Sequence, residues 1–559
     1  MKPDTSRRST RFTLALAAVL ACSALAGWLV FVKLVGAQRE PKWDEVAHAM
    51  KGALIAHDLR ELDWLGFLLD SYVQIYWPPV HSWLVGGAFL LAGQNLEAAR
   101  AVSVIAYVLL APTLFLVAYT IDRRRGILAG IVAAALALVS PGVITSAAES
   151  MLELPGLLAF GLTILVYCAL AANPEARPRT HALLGAGVVL TYLVKSNYAI
   201  VLIIGIVSAK LVAADFRPRG LATRKNLYAA LPLFLFCTVW FAYPPRIVWT
   251  WRMLFNTPWG GEAARGLSGL WFYPRAIADL SGSWWMSALL WGGLAGAWRS
   301  RHRPGIAFLA LLALTMLLIG TFHHTKIDRH ILPVFPSLFV LTGFAARELW
   351  GWLRSRENIR AVAVGFLGAI VLVHAAMLYR GGWKTWEPRE ASALLDYLSR
   401  LTRANAPVLV IGAHDAGPSP PLIDWHLTSV AGLQPVTAAS NVYSFHNLEL
   451  FVEAIGRAPL PDRLQAAAYR SFDRYYDPSM ARSLHLTGSF ADDQALFETY
   501  FRETLERTSP GLVIAVLANP DTTGYEGYLA PGLARAGYRE VSARPFPSLG
   551  SEVHLYRRP

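Results

Sequence analysis

The sequence predicts a polytopic α-helical membrane protein of about eleven spans, followed by a C-terminal α/β domain outside the membrane. Three observations predict it. The 559 residues are 55% hydrophobic and only 16% charged, against ~25% charged in a typical soluble domain. The apolar residues fall in many windows of ~18 or more, the length a helix needs to cross a bilayer. Charge is also partitioned. Residues 380–559 hold 17 basic and 19 acidic side chains, which leaves 34 and 19 to residues 1–379. This excludes a soluble enzyme, a disordered chain and a nucleic-acid binder, even though the net charge is +13. The basic residues sit in loops between spans, where they report orientation.

Spans are expected at about 12–35, 98–121, 127–144, 151–171, 182–195, 198–213, 227–245, 283–298, 305–322, 331–347 and 361–379. With the N-terminus cytoplasmic, as Arg7, Arg8 and Arg11 suggest, the inner segments carry 21 basic and 6 acidic residues and the outer ones 13 and 13. The asymmetry falls wholly on one side, as the positive-inside rule requires. An odd number of spans puts the C-terminus outside. The segment 78–93 (PPVHSWLVGGAFLLAG) is only 16 residues long, below the ~20 a crossing helix needs. It reads as an interfacial or re-entrant helix on the outer face. The first span exceeds the ~7–15-residue core of a signal peptide and reads as an anchor.

The chain thus divides into a membrane-embedded part, 1–379, with a first outer loop at 37–97, and an outer α/β domain, 380–559. In the latter, 407–412, 512–517 and 551–557 read as strands, and 390–404, 462–474 and 492–507 as helices. The three cysteines, Cys22, Cys168 and Cys237, lie in apolar segments and supply neither a disulfide framework nor a metal motif.

Polar groups beside an apolar span are expensive and are usually kept for function. Asp44 and Glu45 follow the exit of the first span. A carboxylate held there can act as a general base toward a hydroxyl, or simply cap the next helix. Glu149 and Glu153 are four apart at the start of the fourth span, on one helix face. They suit proton handling or a paired cation, and equally a stabilised helix N-terminus. Lys195 interrupts two apolar runs, where it can meet an anion or snorkel to the interface. In the turn HHTKIDRH, Lys326 and Arg329 stand at an outer helix start, a combination that attracts phosphate. Arg100 opens the second span on the same side, as a phosphate contact or a partner for a carboxylate. Acids and cations converge on one membrane face. That suits an enzyme working on a substrate with an anionic head and a lipid tail. A transporter or flippase would more usually place such groups near the midplane, between repeats, and neither is seen. A non-catalytic scaffold is the third alternative.

The order of motifs adds to this reading. After W-D-E in the first outer loop come YWPPVHSWLVGGAFLLAGQNLEAARAVSVI, SPGVITSAAESMLELPG, LTYLVKSNYAIVL and DRHILPVFPSLFVLTGFAA. This resembles the GT-C membrane glycosyltransferases, and within them the dolichyl-phosphate-mannose protein mannosyltransferase-like group. Its bacterial relatives include lipid A aminoarabinose transferases and lipopolysaccharide-core galacturonosyltransferases. The resemblance covers roughly residues 10–350. It implies transfer of a sugar from a polyprenyl-phosphate donor to a lipid, polysaccharide or protein acceptor outside the cytoplasm, usually with inversion. It places the first-loop acidic pair on Asp44 and Glu45, with the aspartate as base or acceptor-positioning group. The second acidic motif falls on Glu153, with Glu149 a turn away. The donor-phosphate cations fall on Lys195 and Arg329, with Lys326 and Arg100 as further candidates. His330 stands where the family has an aromatic residue. A divalent cation between Asp44, Glu153 and phosphate oxygens is an arrangement these residue types permit.

Overall fold

The computed structural model describes residues 5–36, 43–74, 77–243, 246–247, 250, 267–297, 300–322, 326–353, 389–405, 407–412, 420–427, 431–433, 436–438, 502, 505–506, 509–518 and 526–559. The membrane part is helical. The first helix, α1 (Thr5–Val30), runs on as a short π-helix to Val35. Three helices follow in the segment expected as the first outer loop: α2 (Trp43–Arg60), α3 (Trp64–Tyr72) and α4 (Val80–Ala92). Then come α5 (Leu96–Ile121), α6 (Gly126–Val139), α7 (Pro141–Ala147), α8 (Glu153–Ala171), α9 (Ala182–Val194), α10 (Ser196–Ala213) and α11 (Arg224–Trp240). The body is completed by α12 (Leu267–Ser281), α13 (Trp284–Ala297), α14 (Pro304–Phe322) and α15 (Val334–Leu353).

Among the described residues, five helices are long and apolar enough to cross a membrane: Ser9–Val35, Leu96–Ile121, Glu153–Ala171, Ser196–Ala213 and Pro304–Thr321. A sixth results if α6 and α7, bent by 62° at Ser140, form one broken span. The other expected spans within the described residues are helices too, but shorter or more polar, and the one at 361–379 lies outside the described residues. The 78–93 segment forms the 13-residue helix α4, too short to cross alone.

The helices pack through small residues. The Ala- and Gly-rich α6 lies between α5 and α15. A side chain at Gly343 of α15 would meet the Ala129 carbonyl oxygen of α6 at 2.1 Å, so the two backbones touch. With no hydrophobic force between helices in lipid, such close approach supplies the dispersion energy that holds them.

Four chain breaks then set the site. Leu152 ends the irregular stretch after α7, and α8 starts at Glu153 with Pro155 in its first turn, where a missing N–H costs nothing. Lys195 is extended (φ −152°, ψ 105°) between α9 and α10, so it leaves the helical path between them. A 3-10 turn at Asp328–Ile331 carries Arg329 just before Pro333 and α15. The fourth break is the start of α2, with Asp44 and Glu45 in its first turn.

The C-terminal part holds a five-stranded sheet of order β2-β1-β3-β5-β4: β1 (Val408–Gly412), β2 (Val436–Ala438), β3 (Leu512–Ala518), β4 (Arg539–Phe546) and β5 (Ser551–Arg557). The strand β1 is parallel to β2 and β3, with Val410 opposite Ile514, and β5 is antiparallel to its two neighbours, β3 and β4. Three of these strands coincide with the apolar runs read from the sequence. Helix Arg389–Ala404 does too, whereas 462–474 and most of 492–507 lie outside the described residues. Trp425 of this part sits 5.9 Å, ring to ring, from Phe89 of α4, and both belong to one apolar core with α2 and α5 residues.

The packing leads to a test. Gly343→Leu should push α15 off α6 and destabilise the protein by about 1–3 kcal/mol or more. Gly87→Ala, at a position with nothing within 4 Å, should leave thermal unfolding in detergent unchanged. Equal unfolding temperatures for the two variants would contradict the close backbone contact.

Candidate active site

The four breaks bring Asp44, Glu153, Lys195 and Arg329 together. Lys195 Nζ donates to Glu153 Oε1 at 2.6 Å. Arg329 Nη2 donates to Asp44 Oδ2 at 2.6 Å, and its Nε lies 3.6 Å from Glu153 Oε1. Two cations and two carboxylates therefore alternate, and Arg329 bridges the acids. Glu153 and Lys195 are buried, while Arg329 and Asp44 are partly exposed and form the open side. Burial disfavours the Arg329 charge, but Glu153, Asp44 and Glu149 outweigh it and hold this guanidinium above its ordinary value. Gly156 allows the close approach of α8 to this site. A side chain there would meet Lys195 Cβ and the Tyr198 ring at 3.1 Å.

Glu45 turns the other way. Arg100 donates to it twice, Nε to Oε1 at 3.0 Å and Nη2 to Oε2 at 3.2 Å, and the Ser150 N–H adds a third bond at 2.7 Å. Both members of this fork are almost fully buried. The pair ties α2 and α5 to the irregular stretch before α8, so it fixes where Asp44 and Glu153 stand. Of the other expected phosphate cations, Lys326 donates to the Gly320 and Thr321 carbonyls at 2.6 and 2.7 Å, and so caps the end of α14. Glu149 is buried in the stretch between α7 and α8, near enough to act on Arg329. His330 shares the turn of Arg329 and is partly exposed.

Two histidines escaped the sequence reading. His48 lies one helical turn after Asp44 on α2, and its ring is 5.0 Å from that of His81 on α4 and 4.6 Å from Trp77. Both are buried. The Asp44–His48 spacing of four was the available signal, since it places both on one helix face. Among the described residues, the Tyr198 hydroxyl and Glu153 Oε2 are buried without a hydrogen-bond partner. Such atoms call for bound water or substrate hydroxyls.

The arrangement does not offer a ready metal site. Among the described residues no group of three or more His, Cys, Asp or Glu could hold an ion. Glu153 Oε1 and Asp44 Oδ2 are already taken by Lys195 and Arg329. The cation placed between Asp44 and Glu153 is thus a protein guanidinium.

Comparisons with known proteins bear on this geometry. A family model described as dolichyl-phosphate-mannose-protein mannosyltransferase matches residues 77–243. The undecaprenyl phosphate-alpha-4-amino-4-deoxy-L-arabinose arabinosyl transferase of Pseudomonas paraeruginosa is 27% identical over 311 residues, which cover 54% of this chain and 55% of that protein. The match thus spans about half the length of this curated relative. The crystal structure of ArnT from Cupriavidus metallidurans in the apo state covers 98% of both chains at a TM-score of 0.59 and 16% identity. The same protein bound to undecaprenyl phosphate gives 0.52 and 15%, with 97% of this chain and 98% of that one covered. The chain shares the fold of ArnT from Cupriavidus metallidurans, and its motifs resemble the family named above.

Two outcomes follow from the geometry. Removing one partner of a buried pair leaves the other charge stranded, at about 3–5 kcal/mol. Arg100→Met should therefore lower the unfolding temperature of purified protein strongly. If it unfolds like wild type and only weakens donor binding, Arg100 is a phosphate contact after all.

The second outcome concerns pH. Burial holds the His48 imidazole at about 3, against the pull of the Glu153 charge and helped by Lys195 and Arg329. In the unfolded chain it takes a proton near 6.5. Below that value the unfolded state binds the extra proton, so this contribution to stability is lost as pH falls from about 6.5 toward about 3. His48→Gln should flatten the fall of unfolding temperature between about pH 7 and about pH 5. An unchanged slope would mean that His48 is solvated.

Proposed function

We propose that the protein transfers a sugar from a polyprenyl-phosphate donor to an acceptor hydroxyl at the outer face of the membrane, with inversion. The observation that carries this reading is the alternating Asp44–Arg329–Glu153–Lys195 cluster, built at four helix breaks of a GT-C fold. The donor supplies a good leaving group, a lipid phosphate. What the protein must add is a base for the acceptor and cations for the departing charge.

Asp44 takes the acceptor proton as the acceptor oxygen bonds to the anomeric carbon. The bond from that carbon to the phosphate oxygen breaks, and the lipid phosphate leaves with the electron pair. Lys195 and Arg329 stabilise its charge. The resting ion pairs fit this role. An incoming phosphate competes for Arg329, loosens its hold on Asp44 and frees an oxygen for the hydroxyl. Glu153, bound to both cations, keeps them aimed without joining the proton transfer. The Tyr198 hydroxyl and Glu153 Oε2, without partners among the described residues, suit sugar hydroxyls.

The first donor to try is undecaprenyl-phosphate-linked 4-amino-4-deoxy-arabinose, the sugar named for the Pseudomonas relative. Purified protein should transfer it to cell-envelope acceptors. Asp44→Asn keeps the shape but cannot take a proton, so it should bind donor and lose at least ~100-fold in transfer. Lys195→Ala and Arg329→Ala should each lose ~10–150-fold through weakened donor use. Near wild-type transfer by Asp44→Asn, with Glu153→Gln inactive, would move the base to α8.

We place the N-terminus in the cytoplasm, the C-terminal domain outside, and the protein in the cell (inner) membrane. We also divide the chain at about 379/380, on the shift in composition. Reporter fusions after residues 126, 300 and 559 should read inside, inside and outside. An inside reading at 559 would put the cluster on the wrong face.

A further inference from the structure

The YWPP run before α4 contributes no member to the ion-pair cluster, yet its Trp77 stands beside it. Trp77 is the accessible member of a group of three rings. His48 lies one turn after Asp44 on the same face of α2. Its ring centroid is 4.6 Å from that of Trp77 and 5.0 Å from that of His81. Both histidines are buried, whereas Trp77 is partly exposed. A ligand that meets this group of rings therefore meets the indole. The cluster is close by, because Glu153, Lys195 and Arg329 lie near enough for their charges to act on His48. Asp44 and Arg329 are partly exposed as well. The indole is also held in place. Ser82 Oγ donates to Gln74 Oε1 at 2.9 Å and Trp83 Nε1 to Ser71 Oγ at 2.7 Å. These bonds clamp the start of α4 to the end of α3 across the turn that carries Trp77. Pro78 and Pro79 follow it and restrict the backbone.

A partly exposed indole offers a flat apolar surface with one polar edge. Of the parts of a lipid-phosphate sugar, only one matches that surface. The phosphate is drawn to Lys195 and Arg329, and the prenyl chain needs no flat partner. The sugar ring, in contrast, carries its hydroxyls around a rim and C–H bonds on its faces. We propose that Trp77, backed by His48, is the platform on which the sugar of the donor lies, and that it selects sugars able to turn a face of C–H bonds to the indole. The proposal rests on the transferase reading for the class of ligand, and it adds the residue that reads the sugar. Because the platform is fixed before the donor arrives, little freedom is lost when the ring settles on it. Trp77 acts on the choice of sugar, while proton transfer and phosphate departure stay with the charged cluster.

Native mass spectrometry of delipidated full-length protein tests it. Three probes are titrated separately: undecaprenyl phosphate, the same lipid bearing 4-amino-4-deoxy-arabinose, and the same lipid bearing glucose, whose ring substituents beyond C1 are all equatorial. Trp77→Ala should weaken binding of at least one sugar-bearing lipid by roughly 3- to 10-fold, the range of one aromatic contact. It should bind bare undecaprenyl phosphate as wild type does. Trp77→Phe keeps a ring and should retain most of the affinity. Trp77→Leu keeps bulk without a ring, should behave like the alanine variant, and serves in its place if that variant fails to fold. The proposal is overturned if the ring-less variants bind both sugar-bearing lipids as wild type does. It is also overturned if they lose bare undecaprenyl phosphate by the same factor, because Trp77 then shapes the lipid site and reads no sugar. Failure of the transferase reading looks different. Wild type would then hold the sugar-bearing lipids through Trp77 and transfer neither sugar to any cell-envelope acceptor.

Discussion

The chain of charges from Asp44 through Arg329 and Glu153 to Lys195 constrains everything around it. Each member stands where a helix starts, stops or breaks, and none could reach the others from the middle of a regular span. Burying such groups is costly unless each finds a partner. The fold meets that demand with alternating signs, so the resting site is internally compensated. Compensation also prepares it for chemistry. On the proposed reading, a substrate phosphate would replace one carboxylate at Arg329 and need not be attracted to a cluster of bare positive charge.

The Arg100–Glu45 fork is the second constraint, and it acts through position. It binds the first turn of α2 to α5 and to the Ser150 amide. Neighbouring Asp44 and Glu45 therefore have different tasks. One faces the open side of the cluster, and the other anchors the helix that presents it. In the proposed mechanism the base is the carboxylate that is not fixed by a bidentate guanidinium and a backbone N–H.

Much of this was legible in the sequence, for identifiable reasons. A membrane span is a strong signal, so charged residues at span ends stand out, and Asp44, Glu153, Lys195 and Arg329 all met. The parallel core strands β1 and β3 showed as short apolar runs because both their faces are buried. Pairing was harder to read. Sequence places Arg100 and Lys326 near the ends of apolar segments, but does not say whether a carboxylate or a helix terminus reaches them first. Nor did hydropathy single out His48 or His81, whose importance comes from what surrounds them. Strand β4 was missed because its exposed, charge-bearing residues resemble a loop.

The central claim is that these four groups work as one electrostatic unit in sugar transfer. A double-mutant cycle tests it most directly. Transfer from the undecaprenyl-phosphate-linked donor is measured for Asp44→Asn, Arg329→Gln and the combined variant. Residues acting as a unit are strongly non-additive, so the double variant should be scarcely slower than the worse single one. Losses that multiply, with each substitution contributing its full factor independently, would contradict the account.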